Sequence, residues 1–353
     1  MNIALTYDPR WAHTPADHIP FWASLDTVDF LADLLEDTGN HITLLKADNS
    51  LETTLREIKS ENPETLVFWL NEFMPTVNGC DIFTVKIIEK VQMMHTGPGS
   101  GPLSIGLNKE TTKEVFRSLG LKTPESYVVN PGDYSAIDSS DPWNGYALIK
   151  PLLQGNSRGV GDFSVISADD FESIKERVER IHREFDEPAL VEEYIGGTDE
   201  KEYSAPVIIS HDGRIGHMPL IEIDLSQIPA AQGKFRFLTN AIKDNKYYLK
   251  IPADLPYPVC KSIHTNVKRI VEKIGCKDMA RVDMRSISNE LFYLEVNVNP
   301  GKNRFSYLIM SAYSLGYKYE QVIAFIPYQA MLKYGIEPPK KLEELAYPMT
   351  ILF

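Results

Sequence analysis

Cysteine is scarce: Cys80, Cys260 and Cys276 are the three in 353 residues, and they stand far apart. An odd, scattered set offers neither a disulfide framework nor a paired CxxC knuckle, so a reducing cytoplasm is the expected setting. Basic blocks are missing as well. Lys and Arg number 36 against 49 Asp and Glu, a formal charge of -13, which excludes a protein that grips nucleic-acid backbones by charge alone. No stretch approaches the roughly 18 consecutive apolar residues of a membrane span. The opening residues 1–8 lack the basic segment of an export signal, so neither export nor membrane insertion is expected. Internal repeats and low-complexity tracts are also absent. What is present is 43% hydrophobic residues in a chain long enough for two or three domains.

Short apolar strands alternate with helical patterns over the first hundred residues. Strands are predicted at residues 3–7, 41–45 and 65–70. Helices are predicted along the stripe Phe21, Leu25, Val28, Leu31, Leu35 up to Gly39, and over residues 51–59 and 81–91. Such alternation implies a parallel sheet with covering helices. Residues 96–102 then form a Gly/Pro cluster that fails the GxGxxG spacing, because Pro102 stands where the third glycine belongs. It is expected to be a connector with no helix opening in it, marking a domain boundary.

Asn108 is a predicted N-cap for a helix ending at Leu119, with Gly120 and Pro124 just beyond. Strands are predicted at 126–129, 146–150 and 163–166. Ser167 and Asp170 form a capping-box pattern ahead of a helix reaching Phe185. Strands at 189–195, 202–209 and 214–223, a helix at 256–274, a further strand pair and closing helices complete the chain. The division expected is 1–105 (parallel α/β), 106–191 (small central unit) and 192–353 (mixed α+β).

The stretch 280–297 carries the most chemistry. Two apolar runs flank Ser288-Asn289 and read as an antiparallel hairpin. A turn centred near residue 289 sets Asp283 across from Glu295 and Arg281 across from Asn297. With side chains alternating, these four share one face, and Val282, Leu294 and Val296 take the other. Two carboxylates and an amide oxygen suit a hard cation such as Mg²⁺ that also takes phosphates. The competing reading is that Arg281 only forms cross-strand salt bridges with the acids. A phosphate site is offered by the strand-end Lys150, followed by the glycine loop 154–161, whose backbone N–H groups are free to face a phosphate. This loop is not a Walker A loop, since GxxxxGK[ST] is absent.

Taken in order, Leu107-Asn108-Lys109 with Thr112-Lys113, residues 120–124, and Ile149-Lys150-Pro151 with its glycine loop resemble the ATP-grasp superfamily. Residues 190–197 with Glu202-Tyr203-Ser204, then Arg281-x-Asp283 with Glu295-x-Asn297-x-Asn299-Pro300-Gly301, complete the pattern. The branch it resembles is the D-alanine:D-alanine ligase-like carboxylate-amine ligases. The resemblance implies an ATP-grasp fold and ATP with Mg²⁺, or Mn²⁺ in its place, as cofactors. It implies that Lys109 and Lys150 contact ATP phosphates and that residues 155–159 form a loop closing over them. Gly155, Asn156 and Ser157 then bind nucleotide, and Asn156 and Ser157 also count as catalytic. Glu192, Tyr194 and Ile195 match the linker that reads adenine, Leu294 an apolar wall under the base, and Glu202 the carboxylate on the ribose hydroxyls. Asp283, Glu295 and Asn297 match the metal ligands. Arg281 and the Gly301 backbone match the groups steadying charge on the acyl carbon, Ser306 a residue near the acceptor carboxylate, and Lys243 a further phosphate contact.

The substrate half departs from the pattern. Where D-alanine-specific members carry an acid just after the first strand, this chain has Thr6-Tyr7-Asp8-Pro9-Arg10, so Asp8 or Asp17 are the substitutes at hand. Residues 71–79 replace a further family segment, and the Lys-Tyr pair of the third domain appears as Lys243-Asp244, with Lys246 nearby. The expectation is an ADP-forming ligase acting on amino acids, peptides or similar small carboxylates and amines, with a donor other than D-alanine. Acyl transfer to a carrier-protein thiol and a non-catalytic nucleotide-binding regulator are the alternatives. A homodimer through the first domain is implied by the resemblance alone.

Overall fold

The computed structural model describes residues 1–12, 25–76, 81–138, 143, 145–155, 157–197, 199–230, 234–236 and 248–353. A first sheet holds β1 (Asn2–Tyr7), β2 (His41–Lys46), β3 (Leu66–Trp69) and, after a short antiparallel pair β4 (Phe73–Pro75) and β5 (Asp81–Phe83), β6 (Met94–His95). Its order is β2-β1-β3-β6 and every pairing is parallel. Both faces are covered, as alternation along the strands requires. Ile3, Leu5, Leu66 and Phe68 pack with α1 (Leu25–Asp37) and the carboxyl-terminal helices, whereas Ala4, Val67 and Trp69 pack with α2 (Leu51–Glu61) and α3 (Thr84–Val91).

The Gly/Pro cluster departs from its predicted role as a connector. Helix α4 (Ser100–Leu107) opens inside it, with Gly99 as N-cap and Pro102 in the first turn, where a missing N–H costs no intrahelical bond. The helix after it, α5 (Lys109–Ser118), stands as predicted. Asn108 Oδ1 accepts from Glu110 N at 3.0 Å and Thr111 N at 3.2 Å, a cap that contributes about 1 kcal/mol.

The central sheet is antiparallel, in the order β7 (Ser126–Val129), β10 (Ala189–Glu193), β8 (Tyr146–Pro151), β9 (Val165–Ser167). Helix α6 (Phe171–Phe185) covers one face through Ile174, Val178 and Ile181. Its N-cap is Asp170, which accepts from Ser173 N at 3.1 Å; Ser167, expected to share in the cap, bonds Asp169 instead. The third sheet has the order β14 (Leu249–Lys250), β13 (Ile221–Ile223), β11 (Lys201–Ile209), β15 (Met279–Ile287), β16 (Glu290–Asn297), with β12 (Ile215–His217) also on β11. The long strand expected over 214–223 is thus two short ones, because residues 218–220 leave the ladder. Helices α7 (Tyr257–Ile274), α8 (Tyr307–Ser314), α9 (Tyr319–Lys333) and α10 (Lys340–Ala346) complete the chain. No described helix is long and apolar enough to cross a membrane. The central and third sheets meet at a cleft whose empty space, open mouth included, is about 1010 Å³.

Candidate active site

The β15–β16 hairpin turns on Ser288 and Asn289, both with positive φ (49° and 64°), the conformation of a two-residue primed turn. A tight turn centred there pairs Ile287 with Glu290 and would set Asp283 opposite residue 294. The ladder runs in that register out to Met284 and Tyr293, then slips by one, so that Asp283 faces Glu295 and Arg281 faces Asn297. The expected cross-strand pairs are therefore present, delivered by a β-bulge at Leu294. The bulge also corrects the predicted facing of Leu294. Strict alternation put it away from the acids, yet the extra residue lets it line the same cleft as Glu295.

Along that face the side chains form one connected cluster. Arg281 holds Asp283 in a fork, Nε to Oδ1 at 2.9 Å and Nη2 to Oδ2 at 2.8 Å. Asn297 Nδ2 donates to Asp283 Oδ2 at 3.0 Å and to Glu295 Oε1 at 3.4 Å, and Ser204 Oγ donates to Asp283 from β11. Arg281 makes its ion pair along its own strand, with Asp283, and Glu295 across the strand pair also favours its charge. Its guanidinium also lies 5.0 Å from the Tyr307 ring centre. Burial pushes the Asp283 carboxyl above its ordinary range, and Glu295 adds to this against the pull of Arg281. Two carboxylates brought together in a dry place are a favourable setting for a dication. No described cluster has three or more His, Cys, Asp or Glu side chains placed to hold a metal. The third donor here is the Asn297 amide, so the residues fit a hard, oxygen-seeking ion that keeps water or phosphate in its remaining positions.

Across the cleft stands a set of lysines. Lys109, the first residue of α5, donates from Nζ to Leu152 O at 3.1 Å and Gln154 O at 2.6 Å, at the root of the glycine loop. Burial, then the neighbouring Lys150, pulls its ammonium down to about 8. On the β8–β10 pair Lys150 lies opposite Leu190 and Glu192 opposite Leu148, so Lys150 and Glu192 share a face diagonally and form an ion pair. Glu192 is 3% exposed and its Oε2 also lies 3.0 Å from Nζ of Lys113. Burial alone would raise that carboxyl; the two ammonium groups outweigh it and hold it at about 2. Lys113 is fully buried and bonds Pro124 O at 3.0 Å as well. In the sequence Lys113 is marked by the Thr112-Lys113 motif and by its spacing of four from Lys109, neither of which names Glu192 as its partner.

The glycine loop is held at its base by Glu187, whose carboxylate accepts from Leu153 N and from Gln154 Nε2, both at 2.7 Å. Ser157 (φ 58°) lines the cleft. A Cβ on Gly159, φ 74°, would sit 2.7 Å from Pro151, so only glycine fits there. Asn156 lies outside the described residues. Tyr194, Ile195, Glu202, Leu148, Leu294 and Arg285 line the same cleft. Arg285 was not singled out from sequence. It stands two residues beyond Asp283, on the same face of β15, which is the signal that could have found it.

On the substrate side, Asp8 is committed. Arg10 Nε and Nη2 clasp its carboxylate at 2.9–3.0 Å and 2.6 Å, and Nη1 reaches Asp81 at 3.0 Å. Glu72, just past β3, is driven by burial to about 7, against the opposing influence of Lys302. Lys302 follows Gly301 and bonds Asn299 Oδ1 at 2.6 Å. Ser306 precedes α8, and its Oγ is buried without a hydrogen-bond partner among the described residues. Asp17, Lys243, Asp244 and Lys246 lie outside the described residues, as do the aromatic residues Phe21 and Trp22.

Solved structures share this arrangement of sheets. A D-alanine–D-alanine ligase from Bacillus anthracis complexed with ATP superposes with a TM-score of 0.66, over 95% of this chain and 99% of that one, at 17% identity. The fold is that of the ATP-grasp ligases, with a parallel-sheet domain ahead of the two units that form the cleft. The family model of the D-ala D-ala ligase C-terminus matches residues 115–326. The D-alanine–D-alanine ligase of Actinobacillus pleuropneumoniae serotype 5b is 31% identical over 241 residues, 67% of this chain and 72% of that one. That of Aquifex aeolicus is 25% identical over 306 residues, 86% of this chain and 94% of its own. The chain belongs to the D-alanine–D-alanine ligase family.

Proposed function

We propose that this protein joins a carboxylate to an amine at the expense of ATP, through an acyl phosphate, and that its carboxylate donor is not D-alanine. The observation that carries the reading is the Arg281–Asp283–Glu295–Asn297 cluster facing Lys109 and Lys150 across one cleft. A changed donor is supported by Asp8, whose carboxylate is taken up by Arg10 and so is a poor acceptor for a substrate ammonium. The same change is supported by Glu72 in a segment rewritten relative to the family pattern.

The chemistry follows from the placement. A carboxylate resists amines because its leaving group would be oxide. One of its oxygens therefore attacks the γ-phosphorus of ATP, and ADP departs. Lys109 and Lys150 lie where they would neutralise the transferring phosphoryl group. Lys109 titrates near 8 and so is largely protonated at neutral pH. Asp283, Glu295 and Asn297 would hold Mg²⁺, which supplies charge neutralisation on the phosphate oxygens. The amine then attacks the acyl carbon, Arg281 and the Gly301 N–H steady the oxyanion, the C–O bond to phosphate breaks, and the amine nitrogen loses a proton. The glycine loop above Lys109 keeps water from the acyl phosphate, and its Gly155 and Gly159 allow the closing motion. We assign residues 1–105 to substrate recognition and the units 106–191 and 192–353 to nucleotide and metal.

The test is incubation with ATP, Mg²⁺ and a panel of D- and L-amino acids, with phosphate release and mass spectrometry read together. One phosphate per amide is expected for at least one pairing other than D-alanine with itself. ADP formation with no condensed product from any pairing would count against the reading.

A further inference from the structure

Arg285 is buried to 5% exposure in the cleft, two residues along β15 from Asp283, and its guanidinium meets three separate pieces of chain. Nη1 donates to Ile195 O at 2.9 Å, on the linker that leaves β10. Nη2 donates to Arg236 O, on the short described segment 234–236. Nε stands 3.6 Å from Glu202 Oε2, on the neighbouring strand β11, where Glu202 and Arg285 are direct cross-strand partners. The plane of the guanidinium lies 5.2 Å from the Tyr194 ring centre. Segment 234–236 is fastened to the same spot a second time. Arg236 N donates to Tyr194 Oη at 3.0 Å, and Phe235 wedges edge-on between Tyr194 (5.3 Å) and Tyr146 (4.7 Å).

This geometry matters because a planar fork with several fixed donors holds its partners in one arrangement, which a flexible ammonium cannot do. Glu202 is the only acid among the cleft-lining residues that Arg285 faces across the strand pair. A carboxylate reads a sugar diol by accepting hydrogen bonds at fixed oxygen positions, so whatever fixes the carboxylate fixes the selectivity. We propose that Arg285 is a positioning residue for nucleotide selection: it orients Glu202 toward the ribose hydroxyls and ties the 195 linker to the 234–236 segment, so that preference for a ribonucleotide over its 2′-deoxy counterpart depends on it. This rests on the reading of the cleft as the ATP site given above.

The experiment is calorimetric titration of the full chain with ATP and with 2′-deoxyATP, in the presence of Mg²⁺, for the parent, Arg285→Met and Arg285→Lys. Thermal unfolding without nucleotide checks each variant's folding. The parent is expected to prefer ATP by about tenfold or more, the size of a hydrogen bond to a charged group. Arg285→Met should bring the two affinities within about twofold of each other. Arg285→Lys, which keeps a charge beside Glu202 but loses the fork, should fall between. A purely structural role would weaken both nucleotides equally and leave the ratio alone. An unchanged ratio in Arg285→Met, or in Arg285→Lys should the methionine variant not fold, overturns the inference while the ATP site stands. So does a parent that binds both nucleotides equally. A parent that binds neither removes the ATP reading and the inference with it.

Discussion

Arg281→Met is expected to lower kcat by about a thousandfold while ATP still binds within tenfold of the parent. Removing one donor from a developing oxyanion typically costs a factor of 10²–10³. Here the same side chain also neutralises Asp283 through two hydrogen bonds of 2.9 and 2.8 Å. Its loss leaves the carboxylates of Asp283 and Glu295 as cross-strand neighbours without that guanidinium, bridged by the Asn297 amide. The two roles separate in the double variant Arg281→Met, Asp283→Asn. Were Arg281 there only to balance Asp283, the double variant would recover activity; the proposed chemistry predicts that it stays inactive. Steady-state kinetics with calorimetric ATP binding decides this, and a single variant within tenfold of parental kcat contradicts the assignment.

Glu192→Gln is expected to destabilise the protein by about 3–5 kcal/mol at pH 7, since it strips the counter-charge from buried ammonium groups. Lys113 is 0% and Glu192 3% exposed, so solvent does little to replace the lost partner. The pH dependence has a definite sign. The carboxyl of Glu192 sits at about 2 in the folded chain and near 4.5 when unfolded. Its contribution is therefore complete above pH 4.5 and is lost as pH falls toward 2. Denaturant unfolding at pH 7 and at pH 3 should show the parent losing stability on acidification, with Glu192→Gln starting lower and losing less. A glutamine variant within 1 kcal/mol of the parent at pH 7 would contradict the network as described.

The strongest sequence signals were those carried by local periodicity. Alternation with a Ser-Asn turn gave the 280–297 hairpin, and its Asp283–Glu295 and Arg281–Asn297 pairs are present. The cap at Asn108 and the strand Ser126–Val129, at the edge of the central sheet, also fell where propensity put them. The bulge at Leu294 was not legible, because an extra unpaired residue leaves no mark on composition. It reconciles two readings of that residue, one from alternation and one from resemblance, that otherwise disagree. Helix α4 was hidden because glycine and proline read as breakers wherever they cluster, although proline is harmless in a first turn. Partner choice was equally hidden. That Glu192 meets Lys150 depends on the β8–β10 register, and that Asp8 meets Arg10 depends on a single 3-10 turn after β1. Within an acidic chain, Lys109, Lys150, Arg281 and Arg285 of the cleft are each held by named acids or carbonyls, so the site's selectivity is written in pairings that composition does not reveal.

The central claim is that the carboxylate is activated by direct phosphorylation. The measurement that tests it most directly uses a donor carboxylate carrying ¹⁸O, whichever amino acid supports turnover in the panel, with ATP and Mg²⁺. The account predicts that one ¹⁸O atom passes to each inorganic phosphate released, with ADP as the nucleotide product. Label appearing in AMP, or phosphate released without label, would contradict it.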